Sequence, residues 1–382
     1  MARRKKFSVA LTIFLSLLSL IIGLCVGFVG AHVLDRQKNA LYKSDVVYGD
    51  GIEFHFMELG NGKTGDSIYI QAGKTDILVD AGSRTNSANT IESYVKNEMV
   101  DDVLEFVIVT HADQDHIAAF AGDGTNESLF KRFQVETIID FPKTNKNTEV
   151  YNNYVLERNA EVNAGAKHYN ALQCYNNVDV ENGAKRSYEI GKNITLNILY
   201  NYFYEHEDDD ENNYSVCFQI EEGDNKYLFT GDLEKAGEEK LVEHNTLSKV
   251  KLFKAGHHGS KTSSNDCLLD IIKPEICVVC CCAGSVEYTD NLPNTFPTQD
   301  FINRISKWTT QVYVTTVGTI KQDGTKSDGS INYSDVSYSS FNGNVVVKSE
   351  KGNVTVACSN SNTVLKDSDW FKQNRTTPTA WA

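Results

Sequence analysis

The chain has 382 residues, 41% of them hydrophobic and 10% aromatic, with a net charge of −14. This is enough apolar material for one large or two ordinary domains with a sizeable core. The acidic balance repels polyanions at long range and excludes a protein that coats nucleic acid, though not one with a small basic site screened by salt.

Residues 2–6 read Ala-Arg-Arg-Lys-Lys, and Phe7 to Ala31 then run 25 residues without a charge. A bilayer span needs about 20 apolar residues. The basic flank ahead of it predicts a cytoplasmic N-terminus, with everything after Arg36 outside the cytoplasm. Residues 1–36 are therefore expected to be a cytoplasmic basic flank and an uncleaved transmembrane anchor. The competing reading is a signal peptide cleaved near Val29-Gly30-Ala31, giving a secreted protein. Signal h-regions, however, run only about 7–15 residues. Residues 37–50 read as a linker.

Ile52 to Met57 alternates as a strand, and Ser67–Gln71 with Thr75–Val79 reads as a hairpin around Ala72-Gly73-Lys74. Asp80-Ala81-Gly82 ends its second strand. Residues 87–100 carry Ile91, Tyr94, Val95 and Met99 on one helical face. Glu105 to Val109 is a buried strand that runs into Thr110-His111-Ala112-Asp113-Gln114-Asp115-His116, and Ile117 to Ala121 opens a helix. Four potential metal ligands thus fall within six residues, on a turn at the end of a strand. Imidazole and carboxylate together suit Zn²⁺, Mn²⁺ or Fe.

Further on, Thr137–Asp140 is a strand, residues 149–163 a helix in an otherwise weakly patterned stretch, and Ile194–Leu199 a strand. Glu205 to Glu211 is an acidic run expected to be a solvated loop. Tyr214–Ile220 and Lys226–Thr230 form a hairpin that ends in Gly231-Asp232, followed by a helix from Leu233 to His244. Strand Val250–Lys254 runs straight into Ala255-Gly256-His257-His258-Gly259-Ser260-Lys261. Of the nine cysteines, four lie in Ile276–Cys282, a buried strand in which they act as small hydrophobes. No disulfide framework is apparent. Pro297–Trp308 reads as a helix, Gln311–Thr316 as a strand, and Gly343–Val356 as a last hairpin. His32, His55, His168, His206 and His244 stand outside these motifs and read as surface or core polar groups.

Several strand ends therefore carry ligand types: Asp80, the His111–His116 turn, Asp232, and the His257/His258 pair. Residues so placed commonly build one site along a sheet edge. Two metals about 3.5–4 Å apart would need about this many ligands and one bridging carboxylate.

The series strand-Asp, Thr-His-x-Asp-x-Asp-His, Gly-Asp and His-His-Gly-Ser resembles the metallo-β-lactamase fold superfamily. Within it, Gly65-Asp66-Ser67, Asn213-Tyr214-Ser215, Thr230-Gly231-Asp232 and Gly256 to Ser263 look most like the extracellular hydrolase domain of the ComEC-type competence protein. The channel-forming membrane region of that family is not represented in these residues. The resemblance implies an α/β fold, a four-layer αββα sandwich of the metallo-β-lactamase type, preceded by one transmembrane helix. It implies a hydrolase domain over 51–322 and a C-terminal extension with a β-hairpin over 323–382.

Carried over residue by residue, His111 and Asp113 would hold one metal, and Asp115 and His116 the other. Asp232 would bridge. One of His257 and His258 would complete the second metal; His258 is taken as the ligand and His257 as facing substrate. Asp80 would orient a ligand imidazole or its loop. Lys261 would clamp a phosphate oxygen as a point charge, or else is a solvated turn lysine. Asp115, Asp232, His257 and Lys261 would carry catalysis. Two departures from the commonest superfamily pattern, Asp113 in place of a second histidine and the Asn213/Ser215 region where another histidine is usual, both match the competence branch. They bring in Mn²⁺ beside Zn²⁺ for the two divalent ions.

The implied function is a membrane-anchored extracytoplasmic hydrolase that cleaves phosphodiesters with metal-activated water, DNA or a wall-polymer linkage being the substrate. The first alternative keeps the site and changes the substrate to a lactone, thioester or amide. The second is a non-catalytic, metal-stabilised binding module.

Overall fold

In the computed structural model, which describes residues 51–99 and 103–382, short strands and helices build two mixed sheets of eight strands each. The expected anchor and linker lie outside the described residues. Among those described, no helix is long and apolar enough to cross a membrane.

Strands β1 (Gly51–Phe56), β2 (Ile68–Ala72), β3 (Thr75–Val79), β4 (Val103–Ile108), β5 (Gln134–Asp140) and β6 (Lys167–Asn170) build most of the first sheet. The second holds β7 (Ser187–Gly191), β8 (Ile194–Ile198), β9 (Phe218–Glu222), β10 (Asn225–Phe229), β11 (Leu252–Lys254), β12 (Ile276–Ala283), β13 (Gln311–Thr325) and β14 (Ile331–Ser340). The chain then returns, and β15 (Val345–Glu350) pairs with β1 while β16 (Asn353–Cys358) takes the edge. The orders are β16-β15-β1-β2-β3-β4-β5-β6 and β14-β13-β12-β11-β10-β9-β8-β7. Pairing is parallel from β3 to β6 and from β10 to β13, and antiparallel elsewhere.

The period-2 pattern of the second sheet sorts its side chains into two cores. Tyr227, Phe229, Val278 and Cys280 join the cluster shared with the first sheet. Leu228, Cys277, Val279 and Cys281 turn to a second cluster. The two sheets are joined by aromatic contact: Phe54 of β1 lies 4.6 Å from Tyr227 and 5.7 Å from Phe229, ring centre to ring centre. Truncating such a buried ring costs about 3–5 kcal/mol. Helices α1 (Ser87–Glu98), α2 (Gln114–Ala121) and α3 (Glu149–Ala164) pack Ile91, Val95, Ile117, Phe120 and Tyr154 into the first cluster. After the short α4 (Ala171–Tyr175), helices α5 (Lys235–His244), α6 (Asp266–Ile272), α7 (Gln299–Ile305) and α8 (Asp369–Asn374) bring Leu241, Leu268, Leu269, Phe301, Ile302 and Phe371 to the second. The expected α/β sandwich is thus present as two mixed sheets with helices.

Three local expectations change. The strand expected from Tyr214 begins only at Phe218: Glu211–Tyr214 is a 3-10 turn, and Asn201 Nδ2 donates to the carbonyls of Asn213 and Ser215, holding the backbone off the sheet. The strand expected over 311–316 continues to Thr325 and pairs with β14. This arm is largely exposed, so its side chains carry no apolar alternation, and it is held by the backbone ladder and by polar contacts such as Ser285 Oγ and Val286 N donating to Asp335. β13 therefore runs through residue 322, and residues 323–382 supply strands to both sheets. The acidic run is also not solvated throughout. Glu211 is buried and accepts from Ala112 N, Thr144 Oγ1 and Asn145 N.

Candidate metal centre

Asp80 follows β3, Thr110 to His116 follow β4, Asp232 follows β10, and His257 and His258 follow β11. β3 pairs with β4, and β10 with β11, in parallel. Their carboxyl ends therefore share a rim within each sheet, as they do where α/β sheets bind ligands.

Asp80 organises the first group. Its Oδ1 accepts from Thr110 N at 2.7 Å, and its Oδ2 accepts from Thr110 Oγ1 at 2.7 Å and from His116 Nδ1 at 2.8 Å. With Nδ1 engaged, His116 presents Nε2 to Asp232 Oδ2 at 3.1 Å. His258 is arranged the same way: Nδ1 donates to Cys280 O at 2.8 Å, and Nε2 stands 3.2 Å from Asp232 Oδ2 and 3.3 Å from Asp115 Oδ2. One ring nitrogen fixed by an acceptor and the other aimed at carboxylates is the arrangement of metal-ligating histidines.

The backbone is shaped for this convergence. His257 and His258 both adopt left-handed conformations, with φ of 44° and 52°. Such φ values in non-glycine residues cost of the order of 1–3 kcal/mol each and cluster at functional sites. Gly82 is required where it stands, since a Cβ there would lie 1.5 Å from Asp115 O. The loop before β2 is tied to the same residue, Asp66 N donating to Asp115 O at 3.0 Å.

His111 is fully buried, its ring 4.1 Å from that of His116, and its Nε2 lies 3.6 Å from Asp113 Oδ2. Asp113 is 28% exposed and pairs with Lys146 at 2.5 Å. His257, 23% exposed, turns away from its neighbour and meets Glu234 Oε1 at 3.2 Å through Nδ1. Lys261 is exposed on its turn, where Arg304 donates to its carbonyl. The structure therefore gathers Asp115, His116, Asp232 and His258, with Asp80 behind them and His111 beside them. It places Asp113, His257 and Lys261 at the periphery.

Sequence reading assigned no role to Asp66, Lys254, Lys146, Glu234 or Tyr288. Asp66 joins His116, Asp232 and His258, each with one ligand atom within 4.8 Å of the others. Lys254 is buried between Asp66 Oδ2 and Asp232 Oδ1, 3.0 Å from the latter. Tyr288 donates to Asp115 Oδ2 at 2.7 Å. Asp66 had a signal, since Gly65-Asp66-Ser67 is part of the resemblance. Lys254 had only its place as the last residue of a strand.

Charge in the cluster is strongly coupled. Burial lowers the His116 and His258 pKa values, but Asp232, with Asp80 or Asp66, outweighs it and holds both rings well above the ordinary range. His111, with burial and the His116 charge against it, falls well below. Burial raises Asp232, yet His258, Lys254 and His116 hold it well below the usual carboxylate value. The donor set fits a divalent cation on a direct observation: His111 Nε2 and His258 Nε2 are buried without a hydrogen-bond partner. A cation there would displace the imidazolium protons.

A family model described as the metallo-beta-lactamase superfamily matches residues 60–122 and 209–283, the segments that carry every residue of the cluster. The chain carries a metallo-β-lactamase domain.

The domain is of the ComEC type by its relatives. ComE operon protein 3 of Bacillus subtilis is 28% identical over 46% of this chain and 20% of that protein. Recombination protein 2 of Haemophilus influenzae is 35% identical over 18% of this chain and 8% of its own length. Competence protein ComA of Neisseria gonorrhoeae is 40% identical over 18% and 10%. The match thus spans a fifth or less of each relative. Among solved structures, the metallo-β-lactamase fold protein YhfI of Bacillus subtilis superposes with a TM-score of 0.39 at 11% identity, over 69% of this chain and 96% of that one. The diiron β-hydroxylase CmlA of Streptomyces venezuelae gives 0.33 at 12%, over 61% and 45%.

Proposed function

We propose that this metallo-β-lactamase domain is a divalent-metal-dependent hydrolase of phosphodiesters, held at the outer face of a membrane by residues 7–31. The observation that carries the hydrolase reading is the pair of fixed imidazoles, His116 and His258, whose Nε2 atoms face the same Asp232 oxygen. The phosphodiester reading draws on two relatives named for recombination and competence, processes whose material is DNA.

Asp115, His116, Asp232 and His258 would hold one ion, and His111 and Asp113, with Asp232, the other. A divalent cation in such a set supplies an activated water and charge stabilisation at phosphorus; zinc and manganese both suit the ligands. The chain supplies the rest. Glu234 holds His257 by Nδ1, so Nε2 is the atom that would carry a proton to the leaving oxygen. Lys261 would meet a non-bridging phosphate oxygen as the substrate enters. Asp80 keeps the His116 ring from rotating, and Gly82 lets the Asp115 backbone come close.

The test is elemental analysis of the purified chain joined to turnover of a chromogenic phosphodiester beside a lactone panel. Metal-dependent phosphodiester turnover is expected. Turnover of lactones alone would replace the substrate, and bound metal without turnover of either would favour the binding module.

A further inference from the structure

Four carboxylates surround His116 and His258, but they approach from opposite sides. Asp115 and Asp232 face the Nε2 edges: His258 Nε2 lies 3.3 Å from Asp115 and 3.2 Å from Asp232, and His116 Nε2 lies 3.1 Å from Asp232. Asp80 and Asp66 stand behind. Asp80 meets His116 Nδ1 at 2.8 Å, and Asp66 lies 3.2 Å from His258 Nδ1 and 3.8 Å from His116 Nδ1. The two nitrogens of an imidazole diverge, so one ion does not take both. A cation on the Nε2 edges has Asp66 behind the rings.

Lys254 explains why a fourth buried carboxylate is tolerated there. Its side chain is 1% exposed. Its ammonium meets Asp66 Oδ2, Asp232 Oδ1 at 3.0 Å and Gly231 O at 3.1 Å. An ammonium has three protons, and three acceptors use them all. Two carboxylates and a carbonyl around one buried nitrogen are the surroundings of an ammonium. The contact also divides Asp232: Oδ1 belongs to the lysine, and Oδ2 is left to the histidines.

We infer that Lys254 is a built-in counter-ion that makes Asp232 a one-oxygen metal ligand and withholds Asp66 from the metal. This deepens the proposed function and rests on it. Asp66 and Lys254 are then positioning residues: they act through Asp232 and His258 and do not touch the substrate. A bridge made by Asp232 would run through Oδ2 alone.

The experiment loads the full chain with Mn²⁺ for stoichiometry and with Co²⁺ for its visible spectrum. It compares wild type with Asp66→Asn, Asp115→Asn, Lys254→Met and the double variant Asp66→Asn/Lys254→Met. Asp66→Asn is expected to keep the wild-type number of ions at saturating Mn²⁺. Its affinity should fall by roughly 10–100-fold, the cost of losing an outer hydrogen-bond partner. Asp115→Asn is expected to bind one ion fewer. Lys254→Met frees Asp232 Oδ1 to chelate, which raises the coordination number and weakens the Co²⁺ d–d bands. A lone buried Asp66 charge threatens the fold of that variant; the double variant removes lysine and facing carboxylate together and should show the same weakened bands. One ion fewer in Asp66→Asn overturns the inference, as does a wild-type Co²⁺ spectrum in the double variant. In either case the metal-hydrolase reading survives. A wild-type chain that binds no divalent ion overturns both.

Discussion

The two halves of the candidate metal centre are built differently. In the deep half, His116, Asp232 and His258 are fully or almost fully buried, and each has a partner behind it: Asp80, Lys254 and the Cys280 carbonyl. In the outer half, His111 is buried without an Nε2 partner, while Asp113 reaches solvent and is engaged by Lys146. Ligands held by packing and outer hydrogen bonds are pre-organised and lose little freedom when an ion arrives. Asp113 has no such backing: Lys146 holds its Oδ1 at the solvent edge, and only Oδ2 faces His111. The difference teaches that metal positions within one motif need not be equal. The deep position should fill first, and the outer one only at higher metal or with substrate present.

The comparison is broken most severely by removing the shared carboxylate. Asp232→Asn should lose bound metal from both halves. It also strips Lys254 of one of its two carboxylates, which should lower stability by about 3–5 kcal/mol. Elemental analysis and denaturant unfolding read the two effects, and a variant with the wild-type ion count would refute the shared ligand.

The scaffold of the deep half has its own signature in pH. Glu238 of α5 is fully buried and accepts from Ser264 N at 2.5 Å and Asn265 N at 2.8 Å, and Ser264 Oγ accepts from Gly256 N at the start of the histidine turn. Burial pushes the Glu238 carboxyl up from 4.5 to about 7, against these donors. A folded pKa above the unfolded one means that the folded state binds more protons between those values. Stability is then lost as pH rises from about 4.5 to about 7, by about 3 kcal/mol. Relative to wild type, Glu238→Gln should gain that amount across the window, as seen in unfolding free energies at the two ends. A constant gap would show that Glu238 titrates normally.

Two smaller changes sharpen the contrast. Asp80→Asn should weaken deep-site metal binding by about 10–100-fold and leave the ion count at saturation unchanged. Lys146→Ala frees Asp113 and removes a competing charge. The pair is partly exposed, so the gain is at most about 1 kcal/mol, a few-fold tighter outer site with the deep one unmoved. Metal titrations followed by calorimetry separate the two. A deep-site response to Lys146→Ala would mean that the halves are not independent.

How much of this was legible in the chain follows from where the information lies. The His111–His116 turn, Asp232 and the His257/His258 pair were readable because each ends an apolar run, and the ligand types are adjacent in sequence. Burial in both sheets also made the strands readable: Ile276–Cys282 is apolar at every position because both of its faces are covered. Asp66 and Lys254 were not readable as a pair. Their partners come from three distant segments, and a lysine buried between carboxylates looks, in sequence, like any lysine that ends a strand. The β13–β14 arm escaped for the opposite reason, since exposed strands held by backbone hydrogen bonds leave no hydrophobic period. Choosing between His257 and His258 needed three dimensions. Only there does one ring meet Glu234 and the other Asp232.

The central claim, a pre-organised deep cation site beside a looser one, is tested most directly by calorimetric titration of Mn²⁺ into the metal-stripped chain. Two binding phases of unequal affinity are expected, with the tighter abolished by His258→Ala and the weaker by Asp113→Asn. A single phase untouched by His258→Ala, or no heat at all, would contradict it.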